Sequence, residues 1–207
     1  AAFWNMSENC SCGSRLIVDA SIKDALLEKV KAGIASWKLG DPRDEDVVIG
    51  PMVEGPHFEK VKSFIAITEQ EGGKLVQGGK IHSDLGSGWY IEPTIFDNVT
   101  ADMTLFQQEV FGPILAVTTF TSDEEAVALA NNSSYGLAAS LYTENLRCAQ
   151  RVSRAIRAGT VSINGFSEGD ITTPFGGFKQ SGFGGRDKGL EALQQYVQTK
   201  TIWYVQD

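Results

Sequence analysis

Ile114-Leu-Ala-Val-Thr-Thr-Phe120 is a run of apolar and β-branched residues, and it opens the stretch that decides the fold. Its length and composition predict a strand buried on both faces. Ser122 with Glu125 then resembles a capping box, predicting a helix through Asn131. Leu137 to Tyr142 reads as a strand. Leu146, Ala149, Val152 and Ile156 mark a helix that ends at Gly159, and Thr160 to Asn164 is a strand again. Strand and helix alternate, the pattern of an α/β fold with a largely parallel sheet.

Working outward, the same rhythm holds upstream. Arg15 to Val18 predicts a short strand. Ile22, Leu26, Val30, Ile34 and Trp37 follow at near-helical spacing, with Ser21 as N-cap and Asp24 three residues on. The polar stretch Gly40 to Asp46 is a loop. A second helix places Phe58, Val61, Phe64, Ile65 and Thr68 on one side and stops at Gly72 and Gly73. Past a glycine-rich turn region the chain extends from Trp89 to Phe96. Downstream, Val197 to Val205 is extended and threonine-containing with no helix after it, which predicts an edge or inter-subunit strand.

Composition narrows the function classes. A chain of 207 residues can bury one core with appendages. Its net charge of −8 argues against nucleic acid and anionic membranes, leaving a small molecule or a protein as partner. No apolar run approaches the length of a bilayer span, and the first residues lack the cationic segment of a secretory signal. Three cysteines, two of them one residue apart, make a poor disulfide framework and suit a reducing, cytoplasmic setting. No metal site is expected either, because Cys10 and Cys12 have no second cysteine pair and the only histidines are His57 and His82.

The chemistry concentrates where Phe3-Trp-Asn-Met-Ser-Glu-Asn-Cys10-Ser-Cys-Gly-Ser-Arg15 leads into a strand. A cysteine in a turn ahead of a sheet can attack an electrophilic carbon while neighbouring backbone N–H groups face the oxygen that becomes negative. Taken alone, such a cysteine is as readily a small buried hydrophobe. The pattern Phe-x-Asn-x-x-x-x-Cys-x-x-x-Ser-Arg over 3–15 resembles the active-site segment of the aldehyde dehydrogenase superfamily, with Cys10 at the nucleophile. That family usually has Gly-Gln where this chain has Ser7-Glu8, so the turn is expected to differ locally.

Three further segments fall in the family's order. Gln108-Glu109-Val-Phe111-Gly-Pro113 is similar to the segment whose carboxylate accepts hydrogen bonds from the nicotinamide ribose and whose ring packs by the nicotinamide. Gly50-Pro51 with His57 and Lys60 resembles the approach to the cofactor's ribose and adenine side. Pro174-Phe-Gly-Gly-Phe-Lys-Gln-Ser-Gly182 resembles a glycine-rich segment behind the active site, with Phe175 bordering the aldehyde tunnel.

The resemblance implies a three-layer catalytic domain over 1–178, with a C-terminal helix and oligomerisation strand over 179–207. It implies NAD or NADP as cofactor, a small-molecule aldehyde as substrate, and a homodimer or homotetramer. Cys10 is the implied nucleophile; Glu109, Phe111, His57 and Lys60 are the implied cofactor contacts. Trp4, Asn9, Ser11, Phe166, Ser167, Glu168, Asp170 and Phe175 are the implied substrate-side residues. Glu168 and Asp170 beside Trp4 and Phe166 would suit a cationic end group, pointing to the aminoaldehyde branch, which includes γ-glutamyl-γ-aminobutyraldehyde dehydrogenase. The family is about twice this length, and its general-base Glu and oxyanion Asn precede the cysteine, so a portion of a longer dehydrogenase is expected, inactive alone. The competing account is a short non-catalytic domain that keeps the dimerisation surface.

Overall fold

A computed structural model describes residues 1–167 and 169–206 of the chain. Its elements are β1 (Arg15–Asp19), α1 (Lys23–Ile34), β2 (Lys38–Leu39), β3 (Val47–Ile49), α2 (Gly55–Gln70), β4 (Lys74–Gln77), β5 (Ile81–His82) and β6 (Tyr90–Ile91). Then come β7 (Thr94–Asp97), α3 (Thr104–Gln107), β8 (Ile114–Phe120), α4 (Asp123–Asn131), β9 (Ala138–Leu141), α5 (Leu146–Ala155) and β10 (Thr160–Ile163). The main sheet has the order β1-β8-β7-β4, parallel except for the antiparallel β4 at one edge. Strands β9 and β10 form a separate parallel pair joined through α5.

The strand period of two splits the core into two layers. On β8, Ile114 and Ala116 join Phe96 of β7 and the α2 residues Phe58, Val61, Phe64 and Ile65, with Leu105 and Phe106 of α3. The alternate residues Leu115 and Val117 join Ile95, Val18 and the α1 residues Leu27 and Ile34. Helices therefore cover both faces, as a buried parallel sheet requires. The α/β, largely parallel, three-layer expectation holds. Among the described residues, no helix is long and apolar enough to cross a membrane, and no group of three His, Cys, Asp or Glu side chains could hold a metal ion.

Several local expectations are corrected. Ser21 does not cap α1; its N–H and hydroxyl both donate to Asp19 Oδ1, and the helix begins after Ile22. Of the predicted α1 stripe, Ile34 is buried and Leu26 and Val30 pack partly buried against the core beside Leu27, while Ile22 is 54% exposed and Trp37 lies beyond the helix. Ser122 does accept the Glu125 N–H, but Glu125 reaches back to the N–H and hydroxyl of Thr121 rather than to Ser122. The region expected as glycine-rich turns contains β4 and β5. Of the two readings of 197–205, the edge strand is not seen among the described residues, where Val197, Ile202, Trp203, Tyr204 and Val205 are exposed, and the inter-subunit strand is a matter for a second subunit.

Candidate functional site

The turn carrying Cys10 is fixed at both ends. Phe3 is buried in the α1-side core, edge-on to Trp37, and anchors the entry. Asn5, Met6 and Ser7 then take left-handed backbone angles, φ 50°, 53° and 58°. Such angles cost a residue with a Cβ, and local bonds hold them here: the Ser7 hydroxyl donates to the Ala2 carbonyl, and the Asn5 side-chain amide donates to the Glu8 carbonyl at 3.1 Å. Asn9 Oδ1 accepts both the N–H and the hydroxyl of buried Ser11, each at 2.7 Å, and the Cys12 N–H closes a turn on the Asn9 carbonyl at 3.1 Å. Cys10 stands exposed on that turn. Its own N–H makes no hydrogen bond among the described residues, so a donor is available beside the thiol.

The exit is locked by Arg15, whose guanidinium donates to the carbonyls of Leu129 at 3.4 Å and Ala130 at 3.1 Å at the end of α4. It also lies 4.7 Å over the Phe106 ring. Burial lowers the Arg15 pKa from its usual value. Lys179 adds two bonds at the same helix end, to the Asn131 and Ser133 carbonyls at 2.7 and 2.8 Å. Its pKa is lowered as well, by desolvation first and then by Arg15 and Arg157. Both cations meet the negative end of the α4 dipole. These bonds, with Gln180 N–H to the Ser134 carbonyl and Gly136 N–H to the Ser181 hydroxyl, tie 179–181 to 131–136 across the 178/179 boundary.

The segment 108–113 hangs between α3 and β8. The Glu71 carboxylate caps α3 by accepting the Thr104 N–H at 2.8 Å and the Thr104 hydroxyl. Phe111 is left-handed at φ 59°, half-buried and edge-on to His57. At Gly112 an added Cβ would stand 2.6 Å from the Val61 side chain, so only glycine lets the segment lie this close to α2. Residues 57, 60 and 61 share one helix face by their spacing. His57 Nε2 meets the Phe111 carbonyl at 2.6 Å, and Lys60 Nζ donates to the Glu109 carbonyl at 3.2 Å. The carboxylate of Glu109 is exposed and accepts no hydrogen bond among the described residues.

One contact was hidden from sequence spacing. The Glu8 carboxylate accepts the Val53 N–H at 3.1 Å and lies 3.6 Å from His57 Nε2. It links the Cys10 turn to the segment behind Glu109 and Phe111. The glycine of Gly50-Pro51 also lies against this turn, since a Cβ there would be 3.8 Å from the Met6 sulfur.

The remaining implied residues are less gathered. Trp4 is 60% exposed, and Phe166 is 36% exposed. Ser167 accepts the Ser162 hydroxyl on its carbonyl and the Gly169 N–H on its own hydroxyl. Asp170 accepts the Thr172 N–H and hydroxyl at 2.7 and 2.6 Å; those bonds lead in lowering its pKa, and Lys188 adds to the effect. Lys188 Nζ also lies 5.2 Å over the ring of Phe175, which pairs with Asp187. Glu168 lies outside the described residues. No ring contact joins Trp4 to Phe166 among the described residues.

Fold and site define an α/β domain that presents a thiol on a braced turn at the head of a mainly parallel sheet, beside an ordered acidic segment. The chain matches the aldehyde dehydrogenase family over residues 1–202 and belongs to it. It is 50% identical to aminoacetaldehyde dehydrogenase of Pseudomonas aeruginosa, over 98% of this chain and 40% of that protein. It is 42% identical to the NADP/NAD-dependent aldehyde dehydrogenase PuuC of Escherichia coli, over 97% of this chain and 40% of that one. A solved indole-3-acetaldehyde dehydrogenase in complex with NAD+ superposes with a TM-score of 0.92 at 46% identity, covering 97% of this chain and 40% of its own. The chain thus spans about two fifths of the length of these relatives.

Proposed function

We propose that this chain supplies the nucleophile and half of the cofactor clamp of an NAD(P)-dependent aldehyde dehydrogenase. The observation that carries the reading is the exposed Cys10 thiol on a turn held by Asn9, Ser11 and Arg15, with an unengaged backbone N–H beside it. The Cys10 sulfur adds to the aldehyde carbon, forming the C–S bond while the carbonyl oxygen gains charge that the Cys10 N–H faces. A nicotinamide cofactor held at Glu109 and Phe111 would supply the hydride acceptor that oxidation of this adduct to a thioester requires. Water then cleaves the C–S bond, releasing the carboxylic acid and restoring the thiol.

The donor set fits such a cofactor. Glu109 offers an unpartnered carboxylate to ribose hydroxyls, and Phe111 offers a ring face beside it. Positioning of this kind brings reacting atoms together without taking part in bond changes. His57 and Lys60 support the same segment through its carbonyls. The substrate reading is an aminoaldehyde, supported by the similarity to aminoacetaldehyde dehydrogenase and by the charge of Asp170, against which Lys188 acts. We assign the protein to the cytoplasm and its assembly to a homodimer or homotetramer, the exposed apolar stretch 202–205 serving as the strand between subunits.

The test is made in the protein as its gene encodes it, following NADH absorbance. Cys10→Ala is expected to abolish aldehyde oxidation, while Cys12→Ala keeps most of it. Normal turnover by Cys10→Ala, with loss in Cys12→Ala, would overturn the assignment.

A further inference from the structure

Between the thiol turn and the cofactor segment stand Glu8, which has no part in the proposed reaction, and His57, whose contact with Glu8 the cofactor reading does not use. Glu8 is two residues before Cys10, and its side chain is only 9% exposed. Its carboxylate takes the Val53 N–H at 3.1 Å, just ahead of α2. On the first turn of α2, His57 points Nε2 at two acceptors: the Phe111 carbonyl at 2.6 Å and the Glu8 oxygen at 3.6 Å. A backbone carbonyl only accepts, so the 2.6 Å contact with Phe111 assigns the donor role to Nε2. Phe111 needs this support because its left-handed backbone is costly for a residue with a Cβ. A single chain of contacts therefore runs Cys10 turn, Glu8, His57, Phe111.

We propose that Glu8 and His57 are positioning residues that couple the placement of the Cys10 thiol to occupancy of the Glu109–Phe111 cofactor segment. The proposal rests on the reading of Cys10 as nucleophile and of 109–111 as part of the cofactor clamp. When a cofactor presses on the Phe111 segment, His57 moves with the carbonyl it holds. Glu8 follows through its attraction to Nε2 and its hold on Val53, and the turn that presents Cys10 shifts. Coupling is reciprocal by thermodynamic necessity, so disturbing Glu8 changes cofactor affinity and disturbing Phe111 changes the thiol. The charge of Glu8 is not essential for holding Val53, since a glutamine carbonyl also accepts an N–H. It is the donor at position 57 that the chain of contacts cannot lose.

The experiment measures the rate of Cys10 alkylation by iodoacetamide, with and without saturating NAD, in the protein as its gene encodes it, the modified cysteine being located by peptide mapping. In the unmodified protein NAD is expected to change the rate about five-fold or more. His57→Ala and His57→Met, the second keeping bulk while removing the donor, bring the ratio close to one, and so does Glu8→Ala. The Glu8→Ala/His57→Ala double variant goes no further than either single change, as expected of residues in one contact chain. His57→Gln, which retains an N–H donor, restores most of the ratio. The proposal is overturned if His57→Met weakens NAD binding yet leaves the ratio intact once NAD saturates, because His57 would then be an ordinary cofactor contact. It is equally overturned if NAD leaves Cys10 alkylation unchanged in the unmodified protein. Turnover by Cys10→Ala would instead remove the nucleophile reading beneath it, a result separable from either of these.

Discussion

At the scale of single residues, the Cys10 turn and the Glu109–Phe111 segment meet through side chains far apart in the chain, Glu8 with Val53 and His57 with Phe111. Cys10, Glu109 and Phe111 were read from short motifs that resemble those of the aldehyde dehydrogenase family. The Glu8–Val53 and His57–Phe111 contacts span 45 and 54 positions, and no local period encodes such pairs. Arg15 and Lys179 were visible only as motif letters; the structure shows them as cations satisfying the last carbonyls of α4. Ser7 holds a left-handed angle where a glycine would be at ease, and its hydroxyl bond to Ala2 replaces that freedom. The substrate side gives a prediction at this scale. The Thr172 hydroxyl and N–H, with Lys188, lower the Asp170 pKa further below neutrality, so the carboxylate carries its full charge there. Asp170→Asn is expected to lower kcat/KM for an aminoaldehyde by roughly 3- to 10-fold and to spare a neutral aldehyde of equal length, whereas Lys188→Met raises the aminoaldehyde value. Equal treatment of the two substrates by both variants would remove the electrostatic support for an aminoaldehyde.

Elements were readable in proportion to the length of their pattern. The five α2 residues read as one face are all buried, and the apolar run of β8 is buried through its first five positions. Strands of two to four residues, such as β4, β5 and β6, exist through their partners and leave little periodicity to find. On α1 the predicted stripe keeps Leu26, Val30 and Ile34 against the core, while Ile22 stands exposed at the N-cap, after a turn that the Asp19 side chain organises. The start of α1 also carries a pH dependence. Lys23 Nζ lies 2.7 Å from Asp97, which is buried on β7, and this hydrogen bond leads in raising the Lys23 pKa above its ordinary 10.5. A cation whose pKa rises on folding contributes stability that is complete below its unfolded value and is lost as pH climbs through the folded one. Urea unfolding should therefore show the unmodified protein more stable than Lys23→Met at about pH 8, with the gap narrowing at about pH 11. A gap that stays constant between those pH values would mean that the pair contributes packing rather than charge.

For the whole molecule, the three layers hold two things at one end of the sheet: a turn that presents a thiol and a segment that presents a carboxylate and an aromatic ring. The alternation of strand and helix made this architecture legible, because each β8 residue must face one layer or the other. The absence of any ladder partner for 197–205 among the described residues was not legible, since an extended apolar stretch looks the same whether it pairs within the chain or beyond it. The central claim is that the thiol of Cys10 becomes acylated during turnover. It is tested most directly by mixing the protein as its gene encodes it with aldehyde and NAD, quenching in acid during the first turnovers, and mapping peptides by mass spectrometry. The account predicts an added acyl mass on Cys10, absent without NAD and absent in Cys10→Ala. An acyl group found on Cys12 or Cys148 instead, or sustained aldehyde oxidation with no acylated cysteine at any quench time, would contradict it.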